Sequence, residues 1–168
     1  MPEQETLERA RQDEREGKSA STQAGEFVRE EIEHVRQGKH GARSSQQAIA
    51  IGLSKARRAG IKLPPPSEGK TSAKTQKQAE RDYEKGQSEG SRKVSPRRSR
   101  GAKRALKREG TEAASPASLS RQAQVSARRR GSADRSRAAQ QAVRTKGLQG
   151  RVRAARTRQA GGRSHSDS

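Results

Sequence analysis

Three histidines, His34, His40 and His165, are the side chains best suited to hold a metal ion or pass a proton near neutral pH. No two of them stand four residues apart, as two ligands on one helix face do, and the chain has no cysteine, so neither a thiolate site nor a disulfide is available. The histidines read as solvated, and no metal is expected. Glu26, Glu30, Glu31 and Glu33 crowd one short segment. Paired-acid catalysis needs a carboxyl raised by an apolar pocket, and the sequence supplies no such pocket, so these carboxylates read as a charged helix face. GKS at 17–19 and GKT at 69–71 invite comparison with a phosphate-binding loop. Both fail, because the glycine required before the Gly-Lys pair is Gln12 in one and Pro64 in the other, and neither follows an apolar strand. No serine has a visible base or oxyanion scaffold. No catalytic residue, no cofactor and no small-molecule substrate are expected.

The chemistry that the sequence does carry is cationic. The formal net charge is +20, and it is unevenly placed: residues 1–63 hold 12 Lys/Arg against 10 Asp/Glu, residues 64–91 hold 5 against 5, and residues 92–168 hold 22 against 4. Such a segment repels itself and seeks a polyanion, of which nucleic acid is the densest, at about one charge per 1.7 Å of duplex axis. Arginine outnumbers lysine by 27 to 12, which favours forked contacts to phosphate over point-charge neutralisation. The expected nucleic-acid contacts are Arg97, Arg98, Arg100, Lys103, Arg104, Lys107, Arg108, Arg121, Arg128, Arg129, Arg130, Arg135, Arg137, Arg144, Arg151, Arg153, Arg156 and Arg158. Ser95-Pro96-Arg97-Arg98 resembles the Ser-Pro-basic-basic units of histone tails, and that resemblance implies a compact turn with arginines entering the minor groove. A membrane partner is not expected: no stretch approaches the roughly 18 apolar residues of a spanning helix, and the basic segments lack an insertable aromatic face. The opening residues, PEQETLERARQDERE, are charged rather than apolar, so no secretory signal is expected and the chain is placed in a cytoplasm, at the nucleoid.

What positions these residues is less obvious. With 26% hydrophobic and 1% aromatic residues there is little apolar surface to offset the entropy of ordering the chain. The expected fold class is a mostly disordered chain with a small all-α segment: an N-terminal helical hairpin and an Arg/Ala-rich tail with short transient helices. Residues 1–18 read as a solvated N-terminal helix, with Glu5 and Arg9 at helical spacing but only Leu7 and Ala10 apolar. Residues 19–63 read as the hairpin. Val28, Ile32 and Val35, with Phe27 beside them, form one stripe, and Ile49, Leu53 and Ala56 form another. Gly38 and Gly41 bracket the turn between them, and Ser44 with Gln47 has the spacing of a capping box. Residues 64–91 read as a Pro/Gly/polar linker, in which 75–86 are transiently helical. Residues 92–168 read as a basic, disordered repeat tail.

The tail repeats itself loosely. SRGAKRALKREG at 99–110, SRQAQVSARRRG at 120–131 and SRAAQQAVRTKG at 136–147 each open on Ser-Arg and close on Gly, and GRVRAARTRQAG at 150–161 is a looser copy. Each encodes one short helix that cannot persist alone in water. Neutralising its arginines on phosphate removes the repulsion that opposes it, so coupled folding and binding is expected; drift of an Ala/Arg-biased composition is the alternative. Base readout needs side chains on a rigid element. The only candidate face for a groove or a partner is Gln46, Gln47, Lys55, Arg57 and Arg58 on the third helix.

Lys39 to Gly60 carries a KHG-x-R-S-x-x-QAIAIGLS-x-A-R-x-AG run. With its flanks, residues 16–66, it resembles an uncharacterised bacterial family of small basic proteins whose members are described at most as DNA-binding candidates. The resemblance implies a bacterial source, an ordered N-terminal segment and an Ala/Arg-rich tail, and no activity. The expected function is non-enzymatic, largely sequence-nonspecific DNA binding by a nucleoid-associated, histone-tail-like protein. The alternatives are an RNA- or ribosome-associated basic factor, and an adaptor whose hairpin self-associates or docks on a protein partner.

Overall fold

The computed structural model describes residues 2–88, 95–137, 139–141 and 143–144. They form α1 (Gln4–Arg15), α2 (Ala20–Arg36), α3 (Ser45–Arg58), α4 (Ala73–Gln87), α5 (Pro96–Lys107), a 3-10 turn at Glu112–Ala114, and α6 (Pro116–Arg129). The expectation of a mostly disordered chain is therefore overturned: helices run through the segments read as linker and as disordered tail. The chain divides into two units, Met1–Gln122 and Ala123–Ser168.

In the first unit α2 is the hub, with α1 and α3 packed against it and α4 against the far side of α3. The apolar contacts gather in two clusters along α2. In the first half of the helix Phe27 is fully buried with Ala10, Ala24 and Ala56, flanked by Leu7, Leu53, Ile61 and Leu63. Near its C-terminal end Val35 is buried with Ala42, Ala48, Ala113 and Ala114, and Ile32 packs on them. Of the residues expected to form the hairpin core, Phe27, Val35 and Ala56 are buried, while Val28, Ile32, Ile49 and Leu53 are half-buried flanks. The reason is that α3 turns its small face inward. Ala48, Gly52 and Ala56 line it, and a Cβ on Gly52 would stand 2.7 Å from the Val28 Cα. Only glycine lets the two backbones approach so closely, and the larger side chains of α3 are pushed to the margin of the contact.

The helix ends follow the sequence signals closely. Ser19, Ser44 and Ser72 cap α2, α3 and α4 by accepting from the backbone N–H groups of Thr22, Gln47 and Thr75. Gln47 Oε1 in turn accepts from the Arg43 backbone at 2.7 Å, one residue earlier than a standard capping box. Gly38, at φ 68°, ends α2: its own N–H donates to the Val35 carbonyl and the Lys39 N–H to the His34 carbonyl. These two bonds are the Schellman pair that satisfies the last carbonyls of a helix.

Helix α1 is not merely solvated. Thr6, Ala10 and Asp13 are buried against α2, and Arg9 reaches both Glu5 and, at 2.7 Å, Glu26. Helix α4 is held by polar contacts. Asp82, 3% exposed, accepts from Ser54 Oγ at 2.6 Å, Arg58 Nε at 2.7 Å and Gln78 Nε2 at 3.0 Å. Burial pushes its carboxyl up, but the hydrogen bonds from Arg58, Ser54 and Gln78 and the charge of Arg58 outweigh burial and hold it below the ordinary aspartate value. A carboxylate depressed in the folded state stabilises fully above its unfolded pKa, and the contribution is lost as pH falls through the folded value. Acidification below the ordinary aspartate range is therefore expected to loosen α4 from α3. In Asp82→Asn that acid sensitivity should shrink, with about 1–3 kcal/mol lost at neutral pH, as read from urea midpoints across pH.

The segment after α5 folds back onto the hairpin through the backbone. The Gly41 N–H donates to the Leu106 carbonyl at 2.9 Å and the Ala42 N–H to the Gly110 carbonyl at 3.0 Å. Ser45 Oγ and Arg36 Nε donate to the Ala113 and Ala114 carbonyls at 2.5 and 3.0 Å. These bonds fix the C-terminal end of α5 against the turn between α2 and α3.

Candidate functional site

Cations of the N-terminal helices are largely consumed internally. Lys18 pairs with Asp13 at 2.7 Å, Lys39 with Glu3 at 3.0 Å, Lys55 with Glu31 at 2.6 Å and Arg58 with Asp82 at 2.7 Å. Arg57 is 8% exposed and spends its guanidinium on the Leu63 and Pro64 carbonyls, at 3.2 and 3.3 Å. The face expected to meet a groove or a partner is therefore only partly offered: Lys55 and Arg57 are tied into the fold and Gln47 is locked in the helix cap, while Gln46 and Arg58 are exposed, Arg58 with its guanidinium paired to Asp82.

Helix α5 is the opposite case. Arg97, Arg100, Lys103, Arg104, Lys107 and Arg108 are all exposed, and among the described residues none has an ion-pair partner. Among the described side chains of this helix, Leu106 alone is half-buried. The Ser-Pro-Arg-Arg stretch is not a free turn, because Ser95 occupies the cap position and Pro96 opens the helix, where its missing N–H costs nothing. Arg121, Arg128 and Arg129 on α6 are exposed as well, and so are Arg130, Arg135, Arg137 and Arg144. Arg135 donates to the Ala127 and Arg130 carbonyls, and Arg137 pairs with Asp134 at 2.5 Å. The side chain of Arg98, and Arg151, Arg153, Arg156 and Arg158, lie outside the described residues, as do His165 and the fourth repeat copy.

Sequence reasoning missed a second constellation. Glu30 and Glu31, read as part of a charged face, are 4% and 0% exposed. Around them stand His34 and His40, with ring centroids 6.1 Å apart and edge to face. His34 Nε2 donates to Glu3 Oε1 at 2.8 Å, and the Glu3 carboxyl is held at about 2, far below the usual 4.5, by hydrogen bonds from His34 and Lys39. Its other nitrogen, Nδ1, lies 3.9 Å from Glu30 Oε1. His40 Nδ1 donates to the Gly41 carbonyl at 3.2 Å, which leaves Nε2 facing Glu31 Oε1 at 3.3 Å. Neither Glu31 oxygen receives a well-directed hydrogen bond. Lys55 Nζ, 2.6 Å from Oε2, is at ion-pair distance but misaligned. The available signal was Glu31-x-x-His34, one helical turn apart.

Residues 15–67 match a family of unknown function, DUF6496. The matched segment holds α2, α3, the turn between them and the Glu31–His34–His40 cluster, and it ends before α4. Nothing in that match assigns DNA binding or any other activity. No curated protein and no solved structure matches the chain significantly. Among the described residues no helix is long and apolar enough to cross a membrane.

Proposed function

We propose that the protein binds DNA, without enzymatic activity and largely without sequence preference, through arginine and lysine contacts to phosphate. The observation that carries this reading is the contrast within the first unit: among the described residues Arg97, Arg100, Lys103, Arg104 and Lys107 of α5 and Arg108 at its C-terminal cap stand exposed with no ion-pair partner, while Lys18, Lys39, Lys55 and Arg58 are paired inside the fold. A helix that leaves this much charge uncompensated is stabilised by any polyanion that lies along it. The cations of α6 and of the residues beyond it extend the same chemistry. The bacterial source implied by the resemblance fits this reading.

If a third to a half of the 22 Lys/Arg in residues 92–168 engage duplex, log K is expected to fall with log salt at a slope of about −7 to −10. Fluorescence anisotropy on a labelled duplex at several salt concentrations measures it. A slope shallower than about −2 would sink the proposal. Competition with a structured RNA distinguishes duplex DNA from RNA as the preferred polyanion, since A-form RNA presents the same phosphates in a different groove geometry.

A further inference from the structure

We propose that Glu31, His34 and His40 form a binding site for a divalent transition-metal ion of the zinc class. The three side chains each offer one ligand atom, and these atoms lie within 4.8 Å of one another. Donors around a tetrahedral zinc stand about 3.3 Å apart at Zn–N and Zn–O lengths near 2 Å, so small side-chain rotations close the site. Two imidazoles and one carboxylate are the donor set that borderline divalent ions prefer over Mg²⁺ or Ca²⁺.

The hydrogen bonds around the cluster point the right atoms inward. A carbonyl oxygen can only accept, so the contact from His40 Nδ1 to the Gly41 carbonyl puts the ring proton on Nδ1. Nε2 then faces the Glu31 carboxylate at 3.3 Å. Either a proton on Nε2 or a metal cation bound by both atoms balances that approach, and the metal is the occupant proposed here. His34 repeats the pattern: its Nε2–H goes to the Glu3 carboxylate and its Nδ1 remains free toward the acidic pair. Histidine ligands in metal sites are oriented in this way, by a carbonyl or carboxylate on the nitrogen that does not bind. Glu31 is fully buried with neither oxygen satisfied by a hydrogen bond. Lys55 occupies only the Oε2 side, which leaves Oε1 as ligand and lets the ammonium steady the carboxylate from behind. Around the two histidines the carboxylates of Glu3, Glu30 and Glu31 outnumber the ammonium groups of Lys39 and Lys55.

The site would join α2, which supplies Glu31 and His34, to the following turn, which supplies His40. The role is structural. It is independent of the DNA-binding reading, because none of its ligands belongs to α5 or α6.

The test uses the untagged full chain, titrated with Zn²⁺ by calorimetry and with Co²⁺ by visible absorption. One equivalent is expected to bind, with Co²⁺ giving the intense bands of low-coordinate nitrogen and oxygen ligation. Zn²⁺ should also raise the urea midpoint where Mg²⁺ does not. His40→Ala and Glu31→Gln should each weaken binding by more than about 100-fold, beyond the effect of losing an outer-shell partner. The wild type supplies a readout that needs no variant: the ring resonances of His34 and His40 should move on adding Zn²⁺ while those of His165 stay. Absence of binding, equal binding by both variants, or movement of the His165 resonances alone would overturn the proposal, the last two meaning an adventitious ion only.

Discussion

Replacing Arg97, Arg100, Lys103, Arg104, Lys107 and Arg108 together with glutamine is expected to make the salt dependence of DNA binding shallower by about 5 units of slope. At low salt the same variant should bind on the order of 10³-fold more weakly. Each phosphate contact contributes about 0.9 to the slope on duplex DNA, and these six cations spend none of their charge on the fold. For the same reason the variant should remain folded: the replaced side chains are exposed, and glutamine is nearly as good a helix former as lysine or arginine. Far-UV circular dichroism and a urea midpoint close to wild type would establish that. A slope changed by less than one unit in a folded variant would remove α5 from the interface. Substitution is preferable to truncation before α5, since cutting there would uncover the Ala42 and Ala48 surface that Ala113 and Ala114 cover.

The largest loss of stability is expected for Phe27→Ala, at about 3–5 kcal/mol. Phe27 is the only phenylalanine in the chain and is fully buried where α1, α2 and α3 meet. Its neighbours Ala10, Ala24 and Ala56 are too small to collapse into the space it would leave. The cavity therefore persists, and its cost adds to the lost transfer energy. Urea denaturation followed by circular dichroism measures the change, and a loss under about 1 kcal/mol would mean that this half of α2 is not the core described above.

Helices α2 and α3 and their caps were legible in the sequence because they obey local rules. The Ser44–Gln47 spacing, the serine at position 19 and the glycine at 38 act within one turn of chain. The side on which α3 packs was not legible. An apolar-stripe reading weights Ile49 and Leu53, whereas closeness of approach selects Ala48, Gly52 and Ala56, and smallness carries no periodic hydrophobic signal. Helix α4 was read as linker because its tie to α3 is the polar contact of Asp82 with Ser54 and Arg58, and composition counts such residues as solvated. The docking of residues 106–114 rests mostly on main-chain groups, which every sequence possesses. Glu31, His40 and Lys55 escaped for a related reason: buried charge is rare enough that a run of glutamates reads as surface. The cationic nature of α5 was plain from composition, but its persistence as a helix was not. Its self-repulsion is local and visible in composition, whereas the hold on its far end comes from the Gly41 and Ala42 backbone, distant in sequence.

The clasp between the hairpin and the segment after α5 spans long stretches of chain, with Ser45 bonded to a residue 68 positions away and Arg36 to one 78 away. Closing such a loop costs about 2 kcal/mol more than closing the eight-residue turn between α2 and α3, at about 0.6 kcal/mol for each doubling of length. Two alanines and four hydrogen bonds must repay that difference. The surface onto which they dock exists only once α2 and α3 have paired, so the first unit carries a built-in order of assembly: local helices, then the hairpin, then the returning strap that brings the charged arm to rest.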